Sequence, residues 1–159
     1  MQQSFDIFFA SSNKNKYLEA KKILAKFGIN LGFFKTNLEE IQADSIKEIG
    51  YKKSVDAFCK CKKPVIVEDD GLLIDSLNGF PGPYSSFVFE TIGNNGILRL
   101  LKSNRNARFQ SVIAFCDKKK EPKTFLAYVH GKIANKSQGK GWGFDPIFIL
   151  WGHYFCRHN

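Results

Sequence analysis

The sequence predicts an α/β fold: a mixed, twisted β-sheet with flanking helices and a long β-hairpin. A short apolar run, DIFFA at residues 6 to 10, leads into a helical pattern and then a second apolar run. This β-α-β opening favours a parallel pair. A third apolar run, PVIVE, reads as a buried strand that continues after Gly71 as LLIDSL. Residues 107 to 117 and 124 to 133 are β-rich and flank the polar turn KKKEPK, which is the pattern of a hairpin.

Each element follows in order. After SSNKNK, residues Tyr17, Ala20, Ile23, Leu24 and Phe27 recur at helical spacing, and Gly28 ends the helix. A strand is expected at about Leu31 to Phe34. Asp44 or Ser45 opens a second helix running to about Cys61, with Ser45 and Glu48 spaced as a capping box. NGFPGPYSS fixes a rigid loop through its prolines and glycines. Two short helical stretches follow, the second being GILRLL. The Gly-rich SQGKGWGFDP is a loop, and IFIL is a last strand.

Composition narrows the functional classes. A chain of 159 residues, 43% hydrophobic and 14% aromatic, can bury a core and is most simply one domain. No run approaches the roughly 20 apolar residues of a membrane span, and MQQSFDIFFASSNKNK lacks a basic, then apolar, leader pattern. A cytoplasmic location without a membrane partner is expected. Cys59, Cys61, Cys116 and Cys156 show no paired C-x-x-C spacing, so reduced structural thiols are expected. The formal charge of +9 suits a polyanion, but the lysines are dispersed and no aromatic-interleaved basic stripe occurs. No stable nucleic-acid complex is expected.

Three places could carry chemistry. Ser11, Ser12, Asn13, Lys14, Asn15 and Lys16 lie between a strand and a helix, where helix N–H groups, short polar side chains and lysines can cradle phosphate. An ordinary N-cap with solvated lysines is the alternative. In the second helix, 100° per residue puts Ile46, Ile49, Gly50 and Ala57 on one face with Lys53 in its middle. Lys53 there either snorkels to water or meets an anion, a phosphate or the acids near residue 69. Those acids are the third place. Glu40, Glu68, Asp69 and Asp70 are hard oxygen donors of the kind that hold Mg²⁺ with substrate phosphates, and the alternative is a solvated strand end. Asp75 is further along and reads as structural.

One loop completes the set. GKGWGFDP combines Trp142, Gly143, Phe144 and Asp145, two aromatic faces and a carboxylate that can stack on a base and accept hydrogen bonds from its edge. An aromatic anchor to the core is the alternative. Together the four stretches ask for one ligand, a polyphosphate with a base.

In order and spacing, SSNKNK, EIQADS, VEDDGLLIDSLNGFPGPYSS and GWGFDPIF resemble the inosine triphosphate pyrophosphatase family, and the archaeal type most of all. The resemblance covers roughly residues 6 to 149. It implies a fold of the anticodon-binding-domain-like or Maf-like kind and hydrolysis of ITP, dITP and XTP to the nucleoside monophosphate and pyrophosphate with Mg²⁺. It also implies that Ser11, Asn13 and Lys16 bind the triphosphate, with Lys53 a further contact. Glu40 and Asp69 would serve Mg²⁺, Asp69 would be the general base, and Trp142, Gly143, Phe144 and Asp145 would form the base pocket. A homodimer is the implied assembly.

Two departures stand out. Asp70 replaces the Ser of the family's EDSGL, adding a negative charge beside the phosphates. After DPIFI the family continues to an S-H-R motif, whereas this chain reads LWGHYFCRHN, with Arg157 and His158 reversed and too early to take that role. A nucleotide-binding protein without turnover, and less so a basic nucleic-acid-binding domain, are the alternative functions.

Overall fold

A computed structural model describes residues 4–39, 41, 43–119, 121–151 and 153–154. The elements are β1 (Ile7–Ser11), α1 (Lys14–Ala25), β2 (Leu31–Lys35), α2 (Ile46–Cys61), β3 (Val65–Ile74), α3 (Ser85–Thr91), α4 (Gly93–Leu100), β4 (Asn106–Cys116), β5 (Lys123–Ile133), β6 (Phe148–Leu150) and β7 (His153–Tyr154). Strand hydrogen bonding follows the order β2-β1-β3-β4-β5-β6-β7. The pairs β1–β2 and β1–β3 are parallel, and β5–β6 and β6–β7 antiparallel, so the sheet is mixed as expected. Glu40 and the segment holding Arg157 and His158 lie outside the described residues.

The chain divides into two compact units, Met1–Asp69 with Val112–Leu126 and Asp70–Ser111 with Ala127–Asn159. In the first unit, Phe9, Tyr17, Leu31 and Ile66 form one core cluster, and Ala10, Ala57, Phe58, Val65, Val67, Ala114 and Cys116 form another. In the second, Leu72, Ile74, Val88, Ile97, Phe144, Ile147 and Phe148 are among the buried residues of a third.

Several local expectations need correction. The three acids do not end a strand: β3 runs unbroken through Glu68, Asp69, Asp70 and Gly71. Ile23 and Phe27 are 56% and 74% exposed. At 100° per residue Ile23 lies about 120° from Tyr17, off the inward stripe, and Phe27 lies past the helix end at Ala25. Ser45 takes the N-cap of α2 without a side-chain cap bond, and the Glu48 carboxylate pairs instead with Lys52 one turn on at 3.1 Å. The strand expected at IFIL begins only at Phe148, since Asp145–Ile147 forms a 3₁₀ turn with Pro146 in its first turn, and it is not the last, because β7 follows and pairs with it. The expectation of reduced cysteines holds for Cys59, Cys61 and Cys116, which are free thiols, with burial pushing the Cys61 thiol up, while Cys156 lies outside the described residues.

The face of α2 is as the spacing requires. Ile46, Ile49, Gly50 and Ala57 are buried. Gly50 is there because β4 passes close: a Cβ on it would sit 2.8 Å from Val112 Cγ1. Gly50→Val is expected to cost about 2 kcal/mol through overpacking, read as an earlier urea midpoint. An unchanged midpoint would contradict this close approach.

The outer side of α2 holds the segment leading towards residue 40. Asp56 Oδ2 accepts from the Glu39 N–H at 3.2 Å and from Lys60 Nζ at 2.7 Å, and Lys60 Nζ also donates to the Asn37 carbonyl at 3.0 Å. Burial alone would raise the Asp56 carboxyl, but Lys60 and the Glu39 N–H outweigh it and hold the group below its ordinary value. A depressed carboxylate stabilises above its unfolded pKa, and that contribution is lost as pH falls through the lower folded value. The stability gap between the native chain and Asp56→Asn should therefore be full near neutrality and close below about pH 4. Urea melts at both pH values test it, and a gap that widens in acid would refute the pinning.

Candidate active site

Alternation along β3 explains how three consecutive acids are tolerated. Successive strand side chains point to opposite faces. Ile66 packs in the cluster with Tyr17 of α1, while Val65 and Val67 pack in the cluster with Ala57 and Phe58 of α2. Glu68 continues the first series and Asp69 the second. Each meets a lysine from the helix on its own face: Lys16 Nζ lies 2.8 Å from Glu68 Oε2, and Lys53 Nζ lies 2.8 Å from Asp69 Oδ2. The side chains are 17% and 18% exposed in the first pair and 12% and 21% in the second, so neither pair is a loose surface contact. Removing one partner from such a pair leaves a poorly solvated charge.

The open choice for Lys53 thus falls to the acids rather than to open water. Register places these pairs further. Phe8 and Phe9 of β1 pair with Val65 and Ile66 of β3, and the same offset carried on sets Ser11 level with Glu68. The acids therefore stand level with the carboxyl end of β1, where open α/β sheets place their ligands.

The turn between β1 and α1 is built by Asn13. Its side chain caps α1, accepting from the backbone N–H groups of Asn15 at 2.9 Å and Lys16 at 3.4 Å, while its own N–H donates to Ser11 Oγ at 3.0 Å. Two first-turn N–H groups are thereby occupied. What the stretch presents to an anion is its side-chain donors and charges, with Ser12, Lys14 and Asn15 exposed, rather than a row of bare helix N–H groups.

Ser11–Lys16, Lys53 and Asp69 belong to the first unit, and Asp70 with Trp142–Asp145 to the second. Asp70 is half-buried. Asp75 pairs at the surface with Arg108 at 3.1 Å. In the glycine-rich loop, Phe144 is only 6% exposed and meets the Phe89 ring edge-on at 5.4 Å, so it is an anchor to the core. Trp142 is 41% exposed and supplies the free aromatic face. Gly141 permits the loop to fold over itself, since a Cβ there would lie 2.6 Å from Asp145 Cβ.

Two residues that sequence reasoning did not single out, Ser85 and Asn94, help to build these parts, and Glu68, read from the sequence as a hard oxygen donor, takes a different place. Glu68 is the partner of Lys16, and the period-two rule applied to β3 would have separated it from Asp69. Ser85, 4% exposed, accepts from the Leu72 N–H at 2.8 Å and donates to the Gly82 carbonyl at 2.7 Å, tying β3 to the proline-rich loop. Asn94 donates to the Gly143 carbonyl at 3.1 Å, and nothing in its local sequence signals that bond.

The family model of the Ham1 family matches residues 7–156. The chain belongs to the Ham1 family. A relative from Methanopyrus kandleri named dITP/XTP pyrophosphatase is 47% identical over 146 residues, covering 90% of this chain and 78% of its own. A protein of the same name from Methanosarcina acetivorans is 40% identical over 152 residues, covering 94% and 83%. Among solved structures, a HAM1 protein from Coxiella burnetii superposes with a TM-score of 0.81 at 27% identity, covering 95% of this chain and 84% of that one. The Staphylococcus aureus Ham1 protein gives 0.77 at 28% identity, covering 96% and 86%. The α/β architecture is therefore that of Ham1 proteins.

Proposed function

We propose that this Ham1-family chain hydrolyses the hypoxanthine- and xanthine-bearing triphosphates ITP, dITP and XTP to the nucleoside monophosphate and pyrophosphate. The observation that carries this reading beyond the relatives' names is the pair of lysine–carboxylate bridges on β3, Lys16–Glu68 and Lys53–Asp69, level with the Ser11–Lys16 turn. The lysines offer charge to a triphosphate, with Ser11, Ser12, Asn13, Lys14 and Asn15 as further donors. Asp69 accepts the proton of the attacking water as the bridging α–β P–O bond breaks and pyrophosphate leaves. Trp142 stacks on the base, while Gly143 and Asp145 shape and read its edge, with Phe144 as the anchor that holds them.

Mg²⁺ is the cofactor of this reading. Hard carboxylate oxygens suit it, and it needs only one or two of them when phosphates complete its shell. Asp69 would hold it, with Glu40 the second carboxylate and Asp70 an added negative charge nearby. When bound, it would supply charge neutralisation at the phosphates.

A homodimer in the cytoplasm is the assembly we favour. Phe125, Leu126, Tyr128 and Val129 of β5 are 62%, 42%, 50% and 37% exposed, so both faces of the strand carry exposed apolar side chains that a second copy would cover. No helix among the described residues is long and apolar enough to cross a membrane. The test of the chemistry is product analysis with ITP and Mg²⁺. IMP with pyrophosphate supports cleavage between the α and β phosphates; IDP with orthophosphate, or no product, would overturn it.

A further inference from the structure

We propose that Asn94 is a positioning residue for the nucleobase loop, setting affinity and selectivity without touching the phosphates. The inference rests on the assignment of Trp142–Asp145 to the base. Helix α4 opens at Gly93, and the next residue, Asn94, turns its Nδ2 onto the Gly143 carbonyl at 3.1 Å, across 49 residues of chain. Gly143 is in the left-handed region at φ 62°, between exposed Trp142 and buried Phe144. A peptide held in that conformation fixes the direction in which the Trp142 ring leaves the loop. One residue away, Phe144 is set by the edge-on contact with Phe89 of α3. The helical pair α3 and α4 thus grips the loop at two adjacent positions, once by packing and once by a directed bond.

The other end of the same amide indicates what the bond is for. Asn94 Oδ1 is buried and has no hydrogen-bond partner among the described residues. A buried acceptor without a donor costs stability, which offsets what the single bond to Gly143 returns. An apolar side chain of similar size would remove that orphaned acceptor but leave the half-buried Gly143 carbonyl without its donor, so the two costs nearly cancel for the fold. Asn94 is therefore explained by the position it gives the loop and not by the stability it gives the chain.

The experiment compares native protein, Asn94→Leu, Asn94→Asp and Trp142→Ala in three readouts: thermal midpoint, KM and kcat for ITP and for GTP, and inhibition by inorganic tripolyphosphate, which probes the phosphate cradle alone. Asn94→Leu should keep the midpoint within a few degrees while raising the ITP KM about five- to tenfold, the value of one directed hydrogen bond. Its kcat should stay within about twofold, and tripolyphosphate inhibition should not change, because Lys16, Lys53 and Asp69 are untouched. Asn94→Asp, which turns an acceptor onto the Gly143 carbonyl, should raise KM further. The preference for ITP over GTP should narrow in both. A lower midpoint with unchanged KM and selectivity would reduce Asn94 to a structural residue and overturn the proposal. Trp142→Ala separates the two levels. If it raises the ITP KM while Asn94→Leu does not, the loop keeps its role and Asn94 loses its own; if it leaves the ITP KM unchanged, the assignment of the loop falls and the proposal falls with it.

Discussion

Asp69→Asn is expected to lower pyrophosphate release from ITP by about 10³-fold while leaving ITP binding measurable, within the range that a general base contributes. The substitution keeps the shape of the side chain and leaves an amide oxygen that can still accept from Lys53 Nζ, which lies 2.8 Å from Asp69 Oδ2 in the native chain. What it removes is the negative charge, and with it the capacity to take a proton from water and to offer an anionic oxygen to a cation. Lys53 keeps an acceptor but loses its counter-charge, so the thermal midpoint should fall by several degrees, and retained ITP binding shows that lost turnover is not lost fold. Single-turnover assays beside equilibrium ITP binding check this. Turnover within tenfold of native would remove Asp69 from the reaction.

Arg105→Ala is expected to give the largest loss of stability, about 3 kcal/mol, or a midpoint lower by roughly 6–12 °C. The guanidinium closes the end of α4 onto the end of β5. Its Nε donates to the carbonyls of Ile133 at 3.1 Å and Ala134 at 3.3 Å, its Nη1 to Leu101 at 3.2 Å and its Nη2 to Ala134 at 2.8 Å. Leu101, Ile133 and Ala134 are themselves buried, so water restores these bonds poorly once the donor is gone. Arg105→Lys should recover little, because an ammonium cannot span three carbonyls as a planar fork does. Calorimetry of both variants tests this, and a midpoint within about 2 °C of native in either would contradict it.

Much of the architecture was legible because its signals are local. The β-α-β opening, the helix from Ile46 to Cys61 and the two long strands around the polar turn come from periodicity and turn chemistry within a few residues of each other. The inward position of Lys53 was legible for the same reason, since 100° per residue places it among Ile46, Ile49 and Ala57. The choice of its partner was not, because Asp69 is sixteen residues away and reaches it only through the fold.

The misjudgement of β3 has a specific cause. Three adjacent acids suggest a strand end when they are imagined crowding one another in one place. Period-two geometry parts them, and Lys16 and Lys53 neutralise Glu68 and Asp69 from different helices, so the strand can continue. The glycine-rich loop shows the opposite limit. Trp142 and Phe144 look alike in sequence, but packing with Phe89 buries one and leaves the other exposed. Burial of that kind depends on long-range packing, which no local pattern encodes.

The most direct test of the proposed activity is kcat/KM for ITP and XTP against ATP and GTP, measured as pyrophosphate release in Mg²⁺. A site that reads the base edge through polar groups should favour ITP and XTP by at least about 100-fold, because the wrong edge leaves buried groups unpaired. Equal values for all four nucleotides would contradict selection of the base and leave only a site for triphosphate.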